Sequence, residues 1–316
     1  MHQQVRTPTS PWFSLIILLG LTLACSFVMQ FMVIGIDWLV YGPAEGLATA
    51  NGSLNVYTDR ALSLYALLAS GTLGAFLLPS LILQYIERHH VYLHQQFQRK
   101  EVYLLAVVFL FAFGPSMQLL SELNAQLALP DSMQALESWM KGQEDNMASL
   151  TERVIMVDSI PLLLLNIIVM ALLPAIAEEF YFRGSILHIA KRMVHNDHIA
   201  IWLTAIIFSA IHLQFYGFLP RLFLGAMFGY MYIWTRNIWV PVLGHFVNNA
   251  TVTILAYYYA SQGRTYEELQ RYENYSIFVY LGSFILAVGI AYGFYTLTHK
   301  QRKLNGERLD QNMDIR

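Results

Sequence analysis

Charge is scarce in this chain. Asp, Glu, Lys and Arg make up 13% of its 316 residues, about half the share of a soluble domain. With a net charge of -2 there is also no basic excess, so the electrostatic footprint of nucleic-acid binding is missing and no nucleic-acid partner is expected. Cysteine is nearly absent: a lone Cys25 excludes an intrachain disulfide framework and a cysteine-built metal site. It falls inside an apolar run, where a small core residue is expected. No internal repeat and no low-complexity tract breaks up the sequence.

What fills the chain is hydrophobic residue, 56% of the total. It is gathered into runs of about 18 or more positions, enough to cross ~30 Å of hydrocarbon at ~1.5 Å per residue. Eight runs predict spans at about 12–35, 61–86, 102–120, 157–182, 198–214, 218–235, 238–259 and 275–298. Segments this continuously apolar satisfy their backbone hydrogen bonds as helices. The expected fold class is therefore all-α: a polytopic membrane helix bundle of about eight transmembrane helices in the cell membrane. The first run exceeds a signal-peptide core and has no clear small-residue cleavage site, so it reads as a retained span.

Eight spans put both termini on one side. Twelve Lys and Arg fall on that face, Arg99, Lys100, Lys191 and Lys300 among them, against six on the other, which predicts cytoplasmic N- and C-termini. The acidic connection 121–156 offers Asp131 as an N-cap with Gln134 three residues on, and an apolar stripe of Met133, Leu136, Trp139 and Met140. That pattern fits an amphipathic helix resting at the membrane interface, or a solvated helical loop. The chain thus divides into 1–150, three spans and the interfacial segment with no specific motif; 151–300, where the polar motifs concentrate; and 301–316, a polar cytoplasmic tail.

Three places carry polar groups into the apolar runs. In "AEEFYFRG", Glu178, Glu179 and Arg183 follow Pro174, which removes a backbone donor and opens or kinks a helix. Span four runs from outside to inside, which puts residue 178 in the cytoplasmic half of the bilayer. A charge facing lipid at mid-membrane costs roughly 2.5–3.5 kcal/mol, so these side chains must face the bundle interior, a wet cavity or the boundary. Glu179 and Arg183 are spaced i, i+4 in the favourable order and can pair along one helix. Glu178 is rotated about 100° away with no partner in its own helix, and is left to act. In "FSAIHLQF", His212 shares a face with Phe208 one turn earlier, and Ser209 lies close by as a weak candidate nucleophile. In "GHFVNNAT", His245 and Asn249 are i, i+4, while Asn248 points off that face and Gly244 allows close backbone approach. Each His or Asn alone is as well explained by interhelical hydrogen bonding. Together, a Glu, two His and an Asn are the groups of a hydrolytic site.

These residues resemble the CAAX protease and bacteriocin-processing family, the Abi membrane proteases that include type II CAAX prenyl endopeptidases. The family pattern is EExxxR, FxxxH and HxxxN on separate membrane helices. Here it stands as Glu178, Glu179 and Arg183, then Phe208 and His212, then His245 and Asn249, on spans four, five and seven over roughly 157–260. The resemblance makes 151–300 a catalytic membrane core. It implies an intramembrane endopeptidase acting on a membrane-associated peptide or protein, with lipid as its other partner. Glu178, assisted by His212, would activate water; His245 and Asn249 would stabilise the oxyanion; Glu179, Arg183 and Phe208 would orient the site. No cofactor is the preferred expectation, since HExxH is absent and an Asn amide is a poor zinc ligand. The alternative keeps Zn on Glu178, His212 and His245. A non-catalytic scaffold that binds peptide in the same cavity is the rival class. A proton-coupled transporter lacks the inverted repeat and broken helices it needs.

Overall fold

The structure, a computed structural model, describes residues 9–42, 60–89, 91, 98–271 and 275–304. Ten helices are found among the described residues: α1 (Pro11–Tyr41), α2 (Ala61–Glu87), α3 (Lys100–Ala125), α4 (Gln134–Ile155), α5 (Ile160–Val194), α6 (Asp197–Ala210), α7 (Phe218–Thr235), α8 (Trp239–Ser261), α9 (Tyr266–Gln270) and α10 (Ile277–Leu304). None of the described residues is in a strand. The protein is an all-α polytopic membrane bundle.

Each of the eight expected apolar runs is a helix. Five of them, α1, α2, α3, α5 and α10, are long and apolar enough to cross a membrane. The lipid-facing character of these helices shows in their surfaces: α10 is apolar around its circumference, and Phe278 is 80% exposed, a position that suits hydrocarbon and not water. Helix α6 has 14 residues, about 21 Å of rise, shorter than the span expected at 198–214. Helix α10 runs on to Leu304, into the segment read from sequence as tail; residues 305–316 lie outside the described residues.

Helix α5 is the centre of the bundle. It packs on α2 along one side and on α8 along another, while α6 and α7 form a hairpin, α3 pairs with α10, and α1 covers α2. The α1–α2 contact is tight at Gly74, where a Cβ would stand 2.9 Å from the Cys25 carbonyl oxygen; Cys25 is half-exposed, not a core residue. At the far end of α5 from its start, Arg192 pairs with Glu87 of α2 at 3.4 Å.

Helix α5 is not uniform. A π-helical turn at Ile167–Leu172 precedes Pro174, and a second at Phe182–Ile186 follows the two glutamates. The first accommodates a proline that cannot complete the regular ladder. At the second, the Phe180 carbonyl accepts from Ser80 Oγ of α2 at 2.7 Å. Helix α4 starts at Gln134, after a 3-10 turn over Asp131–Met133, and no side-chain cap bond forms there. The expected Asp131 cap is therefore not made, because the tighter turn takes up the positions it would have capped. The stripe of Met133, Leu136 and Trp139 is exposed.

Candidate active site

The helix bearing Glu178 does not end near 182, as its hydropathy suggests, but continues to Val194. Glu178 consequently lies at the middle of α5 and not near one end of it. Glu179 and Arg183 are almost fully enclosed, at 0% and 1% exposure, and pair at 2.9 Å through Oε1 and Nη1. The other guanidinium nitrogen, Nη2, donates to the Gly225 carbonyl of α7 at 2.6 Å. The rings of Phe208 and Phe228 lie 5.3 and 5.6 Å from the guanidinium carbon, so the cation is held between two π-faces as well as by a carboxylate. Phe208 therefore supports the pair directly, and Phe228 of α7 is a supporting residue that no local spacing reveals.

His245, from α8, joins this pair. Its Nδ1 donates to Glu179 Oε1 at 2.9 Å, and its Nε2 stands 3.8 Å from Glu178 Oε2. One imidazole thus spans the two adjacent glutamates, and Phe228 stacks on it with ring centres 5.3 Å apart and planes at 19°. Glu179 Oε2 and Arg183 Nε have no hydrogen-bond partner among the described residues. The Glu179 carboxylate is thus committed through one oxygen to both Arg183 and His245, while Glu178 takes no part in that bonding.

Gly244 makes the Phe228 stack possible: a Cβ there would lie 3.0 Å from a Phe228 ring carbon. Overpacking of this kind costs about 1–3 kcal/mol, offset by the ~1 kcal/mol helix preference of Ala over Gly. Gly244→Ala is expected to lose about 1 kcal/mol of stability in thermal unfolding, and to slow any turnover that depends on His245, since the ring beneath the imidazole must move.

Asn249 follows one turn after His245 on α8. Asn248 Nδ2 donates to its Oδ1 at 3.1 Å, which leaves the Asn249 amide nitrogen as the group that can donate outward. Sequence spacing sets Asn248 aside, yet it fixes which way its neighbour's amide faces.

His212 is not within a helix. Helix α6 ends at Ala210, and His212 sits in the turn 211–217, its Nδ1 donating to the Phe208 carbonyl at 2.7 Å. With Nδ1 so engaged, its Nε2 is the acceptor. The ring packs edge-on against Phe208, 5.2 Å between centres. Ser209 staples the turn, its hydroxyl donating to the Phe218 carbonyl at 2.7 Å. Buried Asn124, at the end of α3, clamps the same turn from both sides: it donates to the Phe215 carbonyl and accepts from the Leu219 N–H, each at 2.7 Å. From α4, Glu144 accepts from the Tyr216 N–H and Glu137 from the Tyr216 hydroxyl, both at 3.1 Å. Partial burial raises the Glu144 carboxyl, while the Tyr216 N–H and the Arg221 charge oppose that shift. The turn carrying His212 is thereby fixed by four elements.

Among the described residues, no three His, Cys, Asp or Glu side chains are grouped closely enough to hold a metal ion. Glu178 and His245 approach each other at 3.8 Å, and His245 Nδ1 is bonded to Glu179. A wholly apolar cavity of about 110 Å³, lined by Phe109, Met227, Trp234 and Phe294 among others, shares no residue with this cluster.

Comparison with known proteins returns a relative and a family. Over 120 residues the chain is 30% identical to the uncharacterized protein YpbD of Bacillus subtilis (strain 168), covering 37% of this chain and 57% of that protein. The chain thus spans little more than half the length of this curated relative. No solved structure matches it. Residues 160–251 match the family model described as type II CAAX prenyl endopeptidase Rce1-like, a stretch that starts with α5 and holds Glu178, His212, His245 and Asn249. The chain is therefore a multi-pass membrane protein whose residues 160–251 are similar to a type II CAAX prenyl endopeptidase Rce1-like domain.

Proposed function

We propose that the chain is an intramembrane endopeptidase that hydrolyses a peptide bond in a membrane-associated peptide or protein, with Glu178 as general base. The observation that carries this reading is the placement of His245 between Glu179 at 2.9 Å and Glu178 at 3.8 Å. A structural ion pair needs only Glu179 and Arg183. The second carboxylate, held in the bundle without a hydrogen bond among the described residues, is the group that hydrolysis would use.

In this mechanism a water bound between Glu178 and His212 Nε2 gives its proton to Glu178 as its oxygen attacks the carbonyl carbon. The electron pair of the C=O bond moves to oxygen. Asn249 donates to that oxyanion from its amide nitrogen, and His245 donates from Nε2 when it carries both ring protons, flanked by two carboxylates. Each such preorganised donor is worth a few kcal/mol, about 2.7–4 in measured cases. Collapse of the intermediate breaks the C–N bond, and Glu178 returns the proton to the leaving amine. Glu179 and Arg183 position His245 and take no proton.

The proposed reaction needs no metal. The full chain in liposomes, incubated with membrane-anchored peptides, is expected to cleave them at a rate that chelator treatment and desalting change by less than about twofold. A rate abolished by chelator and restored by one added divalent ion would replace this mechanism with a metal-dependent one. Binding of the same peptides without cleavage by any form would make the protein a scaffold. The same proposal has both termini in the cytoplasm and the protein in the cell membrane, a reading supported by the excess of Lys and Arg on the side of the termini.

A further inference from the structure

Arg221 takes no part in the mechanism above, and its surroundings are not those of a surface cation. It lies in the first turn of α7 with its guanidinium folded against Gly217, where a Cβ would stand 3.0 Å from Nη2. Nη2 donates to Gln214 Oε1 at 2.5 Å. Nη1 is enclosed and has no hydrogen-bond partner among the described residues. A guanidinium nitrogen removed from water without an acceptor is costly, so a fold that keeps one has a use for it.

Through Gln214 and Gly217, Arg221 is packed on the turn 211–217 that carries His212, and Glu144 of α4 meets the same turn at the Tyr216 N–H. Neither Glu144 nor Glu178 forms an ion pair with Arg221 among the described residues. The cation therefore borders the turn of His212 with its charge unpaired. Its setting is rigid, because the turn 211–217 that it folds over is held by Asn124, Ser209 and Glu144. A fixed guanidinium with a donor to spare is the side chain best shaped to take a carboxylate.

We propose that Arg221 anchors the substrate through a carboxylate, so that the site selects peptides carrying a negative charge close to the bond that is cut. The proposal rests on the protease reading for its location, and it adds the charge class of the substrate. The carboxylate has two possible sources, the C-terminus of a peptide or an Asp or Glu side chain, and one experiment separates them.

Two pairs of membrane-anchored peptides are compared with the full chain in liposomes. One pair differs only in a C-terminal carboxylate against a carboxamide, the other only in Glu against Gln beside the cut. Cleavage is measured with the wild type, and binding by fluorescence anisotropy with Glu178→Gln. The acidic member of one pair is expected to be favoured at least about tenfold in KM and in binding, the scale of one charge-assisted hydrogen bond. The favoured pair names the source. Arg221→Gln is expected to bring the ratio close to one, and Arg221→Lys to restore part of it. The proposal is overturned if the wild type, which needs no variant to fold, treats both members of both pairs alike. It is equally overturned if Arg221→Gln slows acidic and neutral peptides by the same factor. If no peptide is cut but the acidic preference in binding is present and lost in Arg221→Gln, the anion site stands and the protease reading falls.

Discussion

Glu178→Gln is expected to lower peptide hydrolysis by about 10²- to 10⁴-fold, the usual contribution of a positioned general acid or base, while leaving the bundle folded. The two halves of that expectation come from the same geometry. Glu178 accepts no hydrogen bond among the described residues, and His245 Nε2 stands 3.8 Å from it. Glutamine keeps the shape and removes only the charge and the proton affinity, so little native bonding is lost. The stabilising pair is one residue further on, between Glu179 and Arg183. Turnover of a membrane-anchored peptide and thermal unfolding in the same detergent are the two measurements. A Glu178→Gln protein that melts with the wild type and retains more than about a tenth of its turnover removes Glu178 from the role of base.

The contrast between adjacent glutamates was legible in the sequence, because i, i+4 spacing is a local property. It pairs Glu179 with Arg183 and leaves Glu178 outside that pair, and the distances agree. The same rule puts Phe208 beside His212, and their rings touch edge to face. Local pattern also marks the eight helices built on apolar runs, because lipid demands such runs. It fails where a distant group sets the outcome. Helix α6 stops at Ala210 although "IHLQFYG" holds no proline and no glycine before Gly217. The turn is held by Asn124 and Glu144, 91 and 72 residues away along the chain, and no hydropathy window reports such partners. Phe228 carries no mark in the sequence and Asn248 only the wrong face, for the same reason: a phenylalanine in an apolar helix and a second asparagine gain meaning only beside Arg183, His245 and Asn249. Arg221, which counts in the sequence as one more charge at a helix end, is likewise distinguished only by its burial.

Breaking the Glu179–Arg183 pair is expected to have the largest effect on folding. Arg183→Met leaves a carboxylate with 0% exposure facing only the His245 N–H, and it also strips the Gly225 carbonyl of its donor. An uncompensated buried charge of this kind costs about 3–5 kcal/mol, a large fraction of the roughly 5–15 kcal/mol that holds a typical protein together. Glu179→Gln leaves the complementary problem, a guanidinium between Phe208 and Phe228 with no counter-charge in contact. Part of that cost is relieved because the two rings still face the cation. The double variant removes both charges at once, so its loss should fall short of the sum of the single losses by about 1–3 kcal/mol, the range found for side chains in direct contact. Denaturant titration in micelles of all four proteins measures this coupling, and additive losses would show that the pair contributes nothing as a pair. Activity separates stability from function in the same set. Where the double variant regains stability, it is expected to remain slow, because His245 Nδ1 has then lost the carboxylate at 2.9 Å that holds the imidazole in place. A double variant that is both stable and fast would mean that His245 finds its position without Glu179, which would leave Glu179 and Arg183 as a device for keeping α5 within the bundle.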